Sequence, residues 1–206
     1  GFPVKLPVLV ANTEELESAC RDMEFPVVMK IASPQILHKT DVGGVSVNIE
    51  SLDAAGEEMK AMIDRAKAKV PDASVLGVTV QEMAKPGREV ILGSTRDPKF
   101  GPLIMFGLGG IYTEALKDVT FRLAPMRRLS ARNMMAEIRS KRILEGFRGE
   151  PPVDMEALQE ALERLSQLVV EFPIIKELDI NPLIAYPDGA VAVDGRIILD
   201  PEADGS

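Results

Sequence analysis

Two residue types from which metal clusters and nucleophilic triads are assembled are almost missing from this chain: it has one cysteine, Cys20, and one histidine, His38. A Cys/His metal cluster is therefore excluded, as is an intramolecular disulfide, which fits a reducing, cytoplasmic setting. Cys20 falls on the apolar stripe of a helical pattern and reads as a small buried hydrophobe. Positive charge is also short. Asp and Glu outnumber Lys and Arg by 32 to 24, giving a net charge of −8. No basic stripe breaks that balance, so no nucleic-acid partner is expected. The densest basic run, "PMRRLSARN" at 125–133 with "RSKR" at 139–142, reads as helix ends and solvated faces. The longest mostly apolar stretch, "PLIMFGLGGI" at 102–111, is too short and too rich in glycine to cross a bilayer, and no signal peptide is visible. The phosphate loop G-x-x-x-x-G-K-[ST] is absent, and "GLGGIY" does not complete G-x-G-x-x-G.

What is present is the composition of a folded globular protein, 46% hydrophobic and 27% charged over 206 residues. Asn12 with Glu15 caps an amphipathic helix over 12–23, and Ser51 caps a second one that Pro71 stops. Strands are predicted at 26–31 and 45–49. Three more, at 75–83, 88–96 and 102–108, are joined by the short connectors "AKPG" and "DPKFG" and read as an antiparallel meander. A short strand around "TFRLA" and helical pieces over 130–147 precede the clearest helix, 153–170. A closing hairpin of 175–186 with 190–199 turns at "PDG". Helices and mostly antiparallel strands in runs indicate α+β in two lobes, hinged near residues 80–85.

The residues with chemistry to offer are few. Lys30 ends an apolar strand and either snorkels outward or points into a cleft. Gly43 and Gly44, in the loop after it, could turn consecutive N–H groups toward an anion, although a plain tight turn explains such a pair more than half the time. Glu82 and Glu89 flank "AKPG" on consecutive strands, where exposed carboxylates are the bland reading. Asp179 and Asn181 alternate along one strand and Asp194 lies on its partner, so three oxygen donors converge, suiting Mg²⁺ held against phosphates. Taken alone, that trio is by default the polar face of a surface hairpin. His38 stands before Lys39, Thr40 and Asp41, a poor setting for a core histidine, and neutral imidazole can accept a phosphoryl group covalently.

The segments "FPVVMKIASPQILHKTDVGGV", "VQEM", "GREVILGSTRDPKFGPLIMFGLGGIYTEALKDVTFRLAPM" and "LDINPLI" followed by "AVDGRI" together resemble the nucleotide-binding β subunit, or equivalent domain, of NDP-forming acyl-CoA synthetases of the ADP-forming acetate:CoA ligase type. The resemblance implies an ATP-grasp fold, with an N-terminal lobe over 1–82 and a C-terminal lobe over 83–206 clasping ATP or ADP between mainly antiparallel sheets. It implies that Lys30 contacts the nucleotide phosphates and that the loop with Gly43 and Gly44 covers them. Glu82 and Met83 would meet the adenine, and Glu89 the ribose side. Asn181 and Asp194 would bind Mg²⁺, with Asp179 near the transferring phosphate and Arg122 as a further phosphate contact. His38 would carry the γ-phosphoryl group to a histidine on a CoA-binding α subunit or domain. The helix that usually precedes "GFPV" and the CoA-binding domain are both missing from this sequence, so a trimmed subunit or the ATP-grasp piece of a fusion is expected. Two other readings stay open: a nucleotide-sensing regulatory module of a fused synthetase/acetyltransferase, and an ATP-grasp ligase that joins an acyl-phosphate to an amine.

Overall fold

A computed structural model describes residues 2–36, 38–109 and 118–200. The Gly-rich turn read at 107–110 runs into residues outside that set. The chain divides into an N unit, Lys5–Lys85, and a C unit, Gly1–Val4 with Pro86–Ser206.

In the N unit, β1 (Val8–Val10), β2 (Val27–Ala32), β3 (Val45–Ile49) and β4 (Gly77–Glu82) form an antiparallel sheet in the order β1-β4-β2-β3. Helices α1 (Thr13–Cys20) and α2 (Leu52–Lys69) bury Leu16, Cys20, Met59, Met62 and Ala66 in one core with Val27, Met29 and Ile31 of β2. Both start where the caps predict. Asn12 Oδ1 accepts from Glu15 N at 2.9 Å while Glu15 Oε2 accepts from Ala11 N at 2.8 Å, and Ser51 Oγ accepts from Ala54 N at 3.2 Å. Alternation along β2 leaves Lys30 on the sheet face away from that core, between Val45 and Thr79 in register.

The C unit carries β5 (Arg88–Asp97), β6 (Gly101–Leu108), β7 (Val119–Leu123), β8 (Ile175–Tyr186), β9 (Gly189–Ala192) and β10 (Gly195–Leu199) in one sheet, ordered β10-β8-β5-β6-β7 with β9 beside β8. Helices α3 (Arg128–Glu137), α4 (Lys141–Leu144) and α5 (Met155–Glu171) contribute to its core. The stripe predicted for α5 is buried as Leu158, Leu162, Leu165 and Val169, each leucine contributing roughly 1.5–3 kcal/mol of burial. Asp154 Oδ1 caps it, accepting from Ala157 N at 2.9 Å.

Two expected pairings differ. The meander is β5-β6-β7, because β4 already has β1 and β2 on its two sides and cannot accept β5. The closing hairpin is split: β9 pairs with Leu183–Tyr186 and β10 with the earlier part of β8. Pro182 has no N–H to give to a ladder. At that gap Asn181 N donates to Asp194 O at 3.1 Å and Val193 N to Pro182 O at 3.1 Å.

Candidate functional site

His38 is exposed at the head of a short 3-10 turn, Lys39–Val42, and its carbonyl accepts from Asp41 N at 3.2 Å. Gly43 follows in the left-handed region at φ 66°, a conformation glycine adopts without penalty. The expected anion nest is not formed. Gly43 N donates to Thr40 O at 3.0 Å and Gly44 N to Lys39 O at 2.7 Å, so both amides close the turn instead of opening toward a ligand. Gly44 is needed for close approach: a Cβ there would lie 2.5 Å from Ile31 Cγ2 and 3.0 Å from Lys39 O.

Helix α2 fastens this loop at its base. Arg65 Nη2 donates to Gly43 O at 3.0 Å and pairs with Glu58, which also accepts from Ser46 Oγ at 2.5 Å. Lys69 Nζ donates to Asp41 O at 2.8 Å. Burial opposes the Glu58 charge, but Arg65 and Ser46 outweigh it and hold the carboxyl below its usual range. None of Glu58, Arg65 or Lys69 stood out as a candidate, yet their spacing of seven and four residues on one helix face was a readable sign of a shared target.

The Glu82 carboxylate is engaged within the N unit. It accepts from Lys5 Nζ and, at 3.1 Å, from Glu24 N, and these bonds lower its pKa, Lys5 contributing most. Met83 N donates to Pro26 O at 3.0 Å. Both groups therefore brace the end of β4. Glu89, on β5, is exposed, and its carbonyl accepts from Gly109 N at 2.7 Å.

In the C unit, register sorts the candidates by face. Arg196, Asp179, Gly93, Met105 and Phe121 stand in one row across β10, β8, β5, β6 and β7, and so share one face of the sheet. The next row, Ile197, Leu178, Ser94, Ile104 and Arg122, is on the opposite face, where Leu178 and Ile104 belong to the core. Arg122 is thus removed from the phosphate-contact group. Its guanidinium pairs with Glu137 of α3 at 2.5 Å and donates to Phe121 O at 2.8 Å. A strand-edge ion pair is its role here.

The β5/β8 register slips between Val90 and Leu92, so Asn181 and Pro182 together oppose Ile91. The bulge leaves Asn181 exposed beside Asp194, also exposed. Half-buried Asp179 lies two residues before Asn181. It borders a cavity of about 310 Å³ with Glu177, Arg196, Gly93, Met105 and Phe121. Burial pushes its carboxyl up; Arg196 opposes that shift, while Asp194 and Glu177 reinforce it.

This setting fits a hard divalent cation. Carboxylates crowd one another, and a cation beside them would offset the repulsion. Among the described residues no three His, Cys, Asp or Glu side chains form a metal cluster. Mg²⁺ needs no such cage, since one or two carboxylates, waters and substrate phosphates complete its shell. Asp194 and the amide oxygen of Asn181 could hold it.

An ATP-grasp domain model matches residues 1–199. The chain belongs to the ATP-grasp family. Its two antiparallel sheets with helices are the ATP-grasp fold. It is 48% identical to the β subunit of the ADP-forming acetate–CoA ligase I of Pyrococcus furiosus, over 97% of this chain and 86% of that one. The dinucleotide-forming acetyl-coenzyme A synthetase 1 of Ca. Korarchaeum cryptofilum, in complex with coenzyme A, Ca-AMPCP and HgCl⁺, superimposes with a TM-score of 0.93 at 47% identity, over 97% of this chain and 87% of that one. A structure of the same synthetase with coenzyme A and Mg-AMPPCP, its phosphohistidine segment pointing towards the nucleotide-binding site, gives 0.85 at 44% identity, over 97% and 86%. Among the described residues, no helix of this ATP-grasp chain is long and apolar enough to cross a membrane.

Proposed function

We propose that this ATP-grasp chain is the nucleotide-binding subunit or domain of an ADP-forming acyl-CoA synthetase of the acetate:CoA ligase type. With a CoA-binding partner it interconverts acid, CoA and ATP with acyl-CoA, ADP and phosphate. The observation that carries the reading is His38: an exposed imidazole at the tip of a turn whose base is fastened to α2 by Arg65 and Lys69. Such an arm can offer a nucleophile to a bound nucleotide and carry cargo away from it.

In the first half-reaction an imidazole nitrogen of His38 forms a bond to the γ-phosphorus of ATP. The bond from that phosphorus to the β–γ bridging oxygen breaks, and its electron pair leaves with ADP. In the second, the phosphoryl group passes to a histidine on the CoA-binding partner and His38 is restored. Splitting one transfer in two answers a distance problem, since one phosphate cannot touch a nucleotide site and a CoA thioester site at once, and loop motion supplies the travel. In the N unit Lys30 contacts the nucleotide phosphates, the His38–Gly44 loop covers them, and the end of β4 at Glu82 and Met83 borders the adenine. In the C unit Glu89 meets the ribose side, Asn181 and Asp194 hold Mg²⁺, and Asp179 lies near the transferring group. Mg²⁺, when bound, neutralises charge on the phosphate oxygens as the phosphoryl group leaves.

Incubation with γ-labelled ATP and Mg²⁺ is expected to give an acid-labile, base-stable phosphoryl label that His38→Ala abolishes. Label that survives the substitution removes His38 from the reaction. Nucleotide binding without transfer, even with a CoA-binding partner present, replaces the synthetase with a sensing module.

A further inference from the structure

Arg196 is a charged side chain on the open face of the C-unit sheet to which the roles above give no task. It stands opposite Asp179 in the β10/β8 register, and Nη2 lies 4.0 Å from Glu177 Oε2. All three side chains border the 310 Å³ cavity. Gly93 is the next member of the row, and a Cβ there would come 3.2 Å from Met105 Cε and 3.7 Å from Asp179 Oδ1. Arg196 is the second residue of β10, two places after Asp194, which lies in the break between β9 and β10.

For stability this placement has little purpose. The Arg196 side chain is 69% exposed, and an exposed ion pair at 4.0 Å contributes next to nothing. For phosphoryl transfer it has a clear one. Asp179, Asp194 and Glu177 make this corner strongly negative, and a phosphoryl group with its anionic oxygens is repelled from it unless positive charge meets it on more than one side. A cation at Asn181 and Asp194 would meet part of that charge, and the row places the Arg196 guanidinium beside Asp179 to meet more of it. A planar guanidinium can bind two phosphoryl oxygens at once, which an ammonium cannot.

We propose that Arg196 contacts the terminal phosphoryl group of bound ATP, with Glu177 positioning its guanidinium over Asp179. The inference rests on the nucleotide role proposed above and adds a residue that distinguishes ATP from ADP in the C unit. Because ADP lacks the group that Arg196 touches, losing the guanidinium is felt by one nucleotide and not the other.

Calorimetric dissociation constants for Mg-AMPPCP and Mg-ADP, measured on the wild type, Arg196→Gln and Arg196→Lys, test this. Arg196→Gln is expected to weaken AMPPCP about tenfold while leaving ADP within about twofold, the loss expected for a charged hydrogen-bonded pair. Arg196→Lys recovers part of the AMPPCP affinity, and labelling of His38 at saturating ATP slows in the same order. Equal loss for both nucleotides, or no loss for AMPPCP, overturns the inference. A wild-type chain that binds neither nucleotide overturns the nucleotide role itself, a result the wild-type titration separates from the first.

Discussion

Substituting Gly44 by alanine places a methyl group where the N-unit core has no room for it. The new Cβ would lie 2.5 Å from Ile31 Cγ2, 3.1 Å from Ile31 Cβ and 3.0 Å from Lys39 O. Comfortable carbon contacts are about 3.5–4.0 Å, so Ile31 or the loop has to move by about 1 Å. Ile31 is fully buried and β-branched, with few rotamers to retreat into. Forcing it off its rotamer costs about 0.5–1.5 kcal/mol, and displacing the surrounding core about 1–3 kcal/mol. The sum, about 1.5–4.5 kcal/mol, is the expected destabilisation. Gly56→Ala is the control: it lies inside α2 with nothing within 4 Å of its Cβ, and is expected to stabilise by about 0.5–1 kcal/mol. Equilibrium urea unfolding reads both. Ile31→Val keeps Cγ2 and should not rescue Gly44→Ala, whereas Ile31→Leu removes that branch and should recover part of the loss. A Gly44→Ala chain within about 0.5 kcal/mol of the wild type would refute the packing argument, and with it the view that the His38 loop has a fixed base.

Three further predictions concern the same devices. Arg65→Met removes two hydrogen bonds to Gly43 O and the pair with Glu58; discounted for partial exposure, the cost is about 1–2 kcal/mol, with faster amide exchange over residues 39–44. Asp118 is buried, which alone would raise its pKa, but Ser140 Oγ and the amides of Ser140 and Arg139, both at 2.8 Å, lower it. Its charge therefore stabilises the fold above the unfolded carboxyl pKa near 4 and ceases to do so as pH falls through the lower folded value. Asp118→Asn should accordingly lose about 1–2 kcal/mol at neutral pH, in a gap that closes below about pH 4, as chemical denaturation across pH will show. Chelating Mg²⁺, or Asp194→Ala with Asn181→Ala, should abolish His38 labelling while leaving the urea midpoint close to that of the wild type, since both side chains are exposed.

Element type was readable where period and caps agreed, as in α2 behind Ser51, α5 with its leucine stripe and the β-branched run of β2. Pairing was not. "AKPG" has the length of a hairpin turn, yet β4 is filled on both sides, a fact of three-dimensional order that no local pattern carries. The same gap explains Arg122. Which face a residue takes depends on cross-strand register, and only the row through Leu178, Ser94 and Ile104 puts it with the core. Alternation and a nearby hairpin pointed to one region for Asp179, Asn181 and Asp194; the structure puts Asp194 in the break between β9 and β10, where its carbonyl accepts from Asn181 N. The break at Pro182 that exposes Asn181 beside Asp194 was foreshadowed by a proline in a strand pattern. Gly43 and Gly44 were rightly marked as special, but a glycine pair fits both an open nest and a closed turn, and the hydrogen bonds decide for the turn.

The central claim is that His38 carries a phosphoryl group. Brief reaction with ATP and Mg²⁺, digestion at neutral to alkaline pH and mass spectrometry of the peptide spanning Ser33–Gly44 locates that group directly. The account predicts one added phosphoryl group on His38, lost on acid treatment and on return of the sample to excess ADP. A phosphoryl group on any other residue, or one that persists with ADP present, would contradict it.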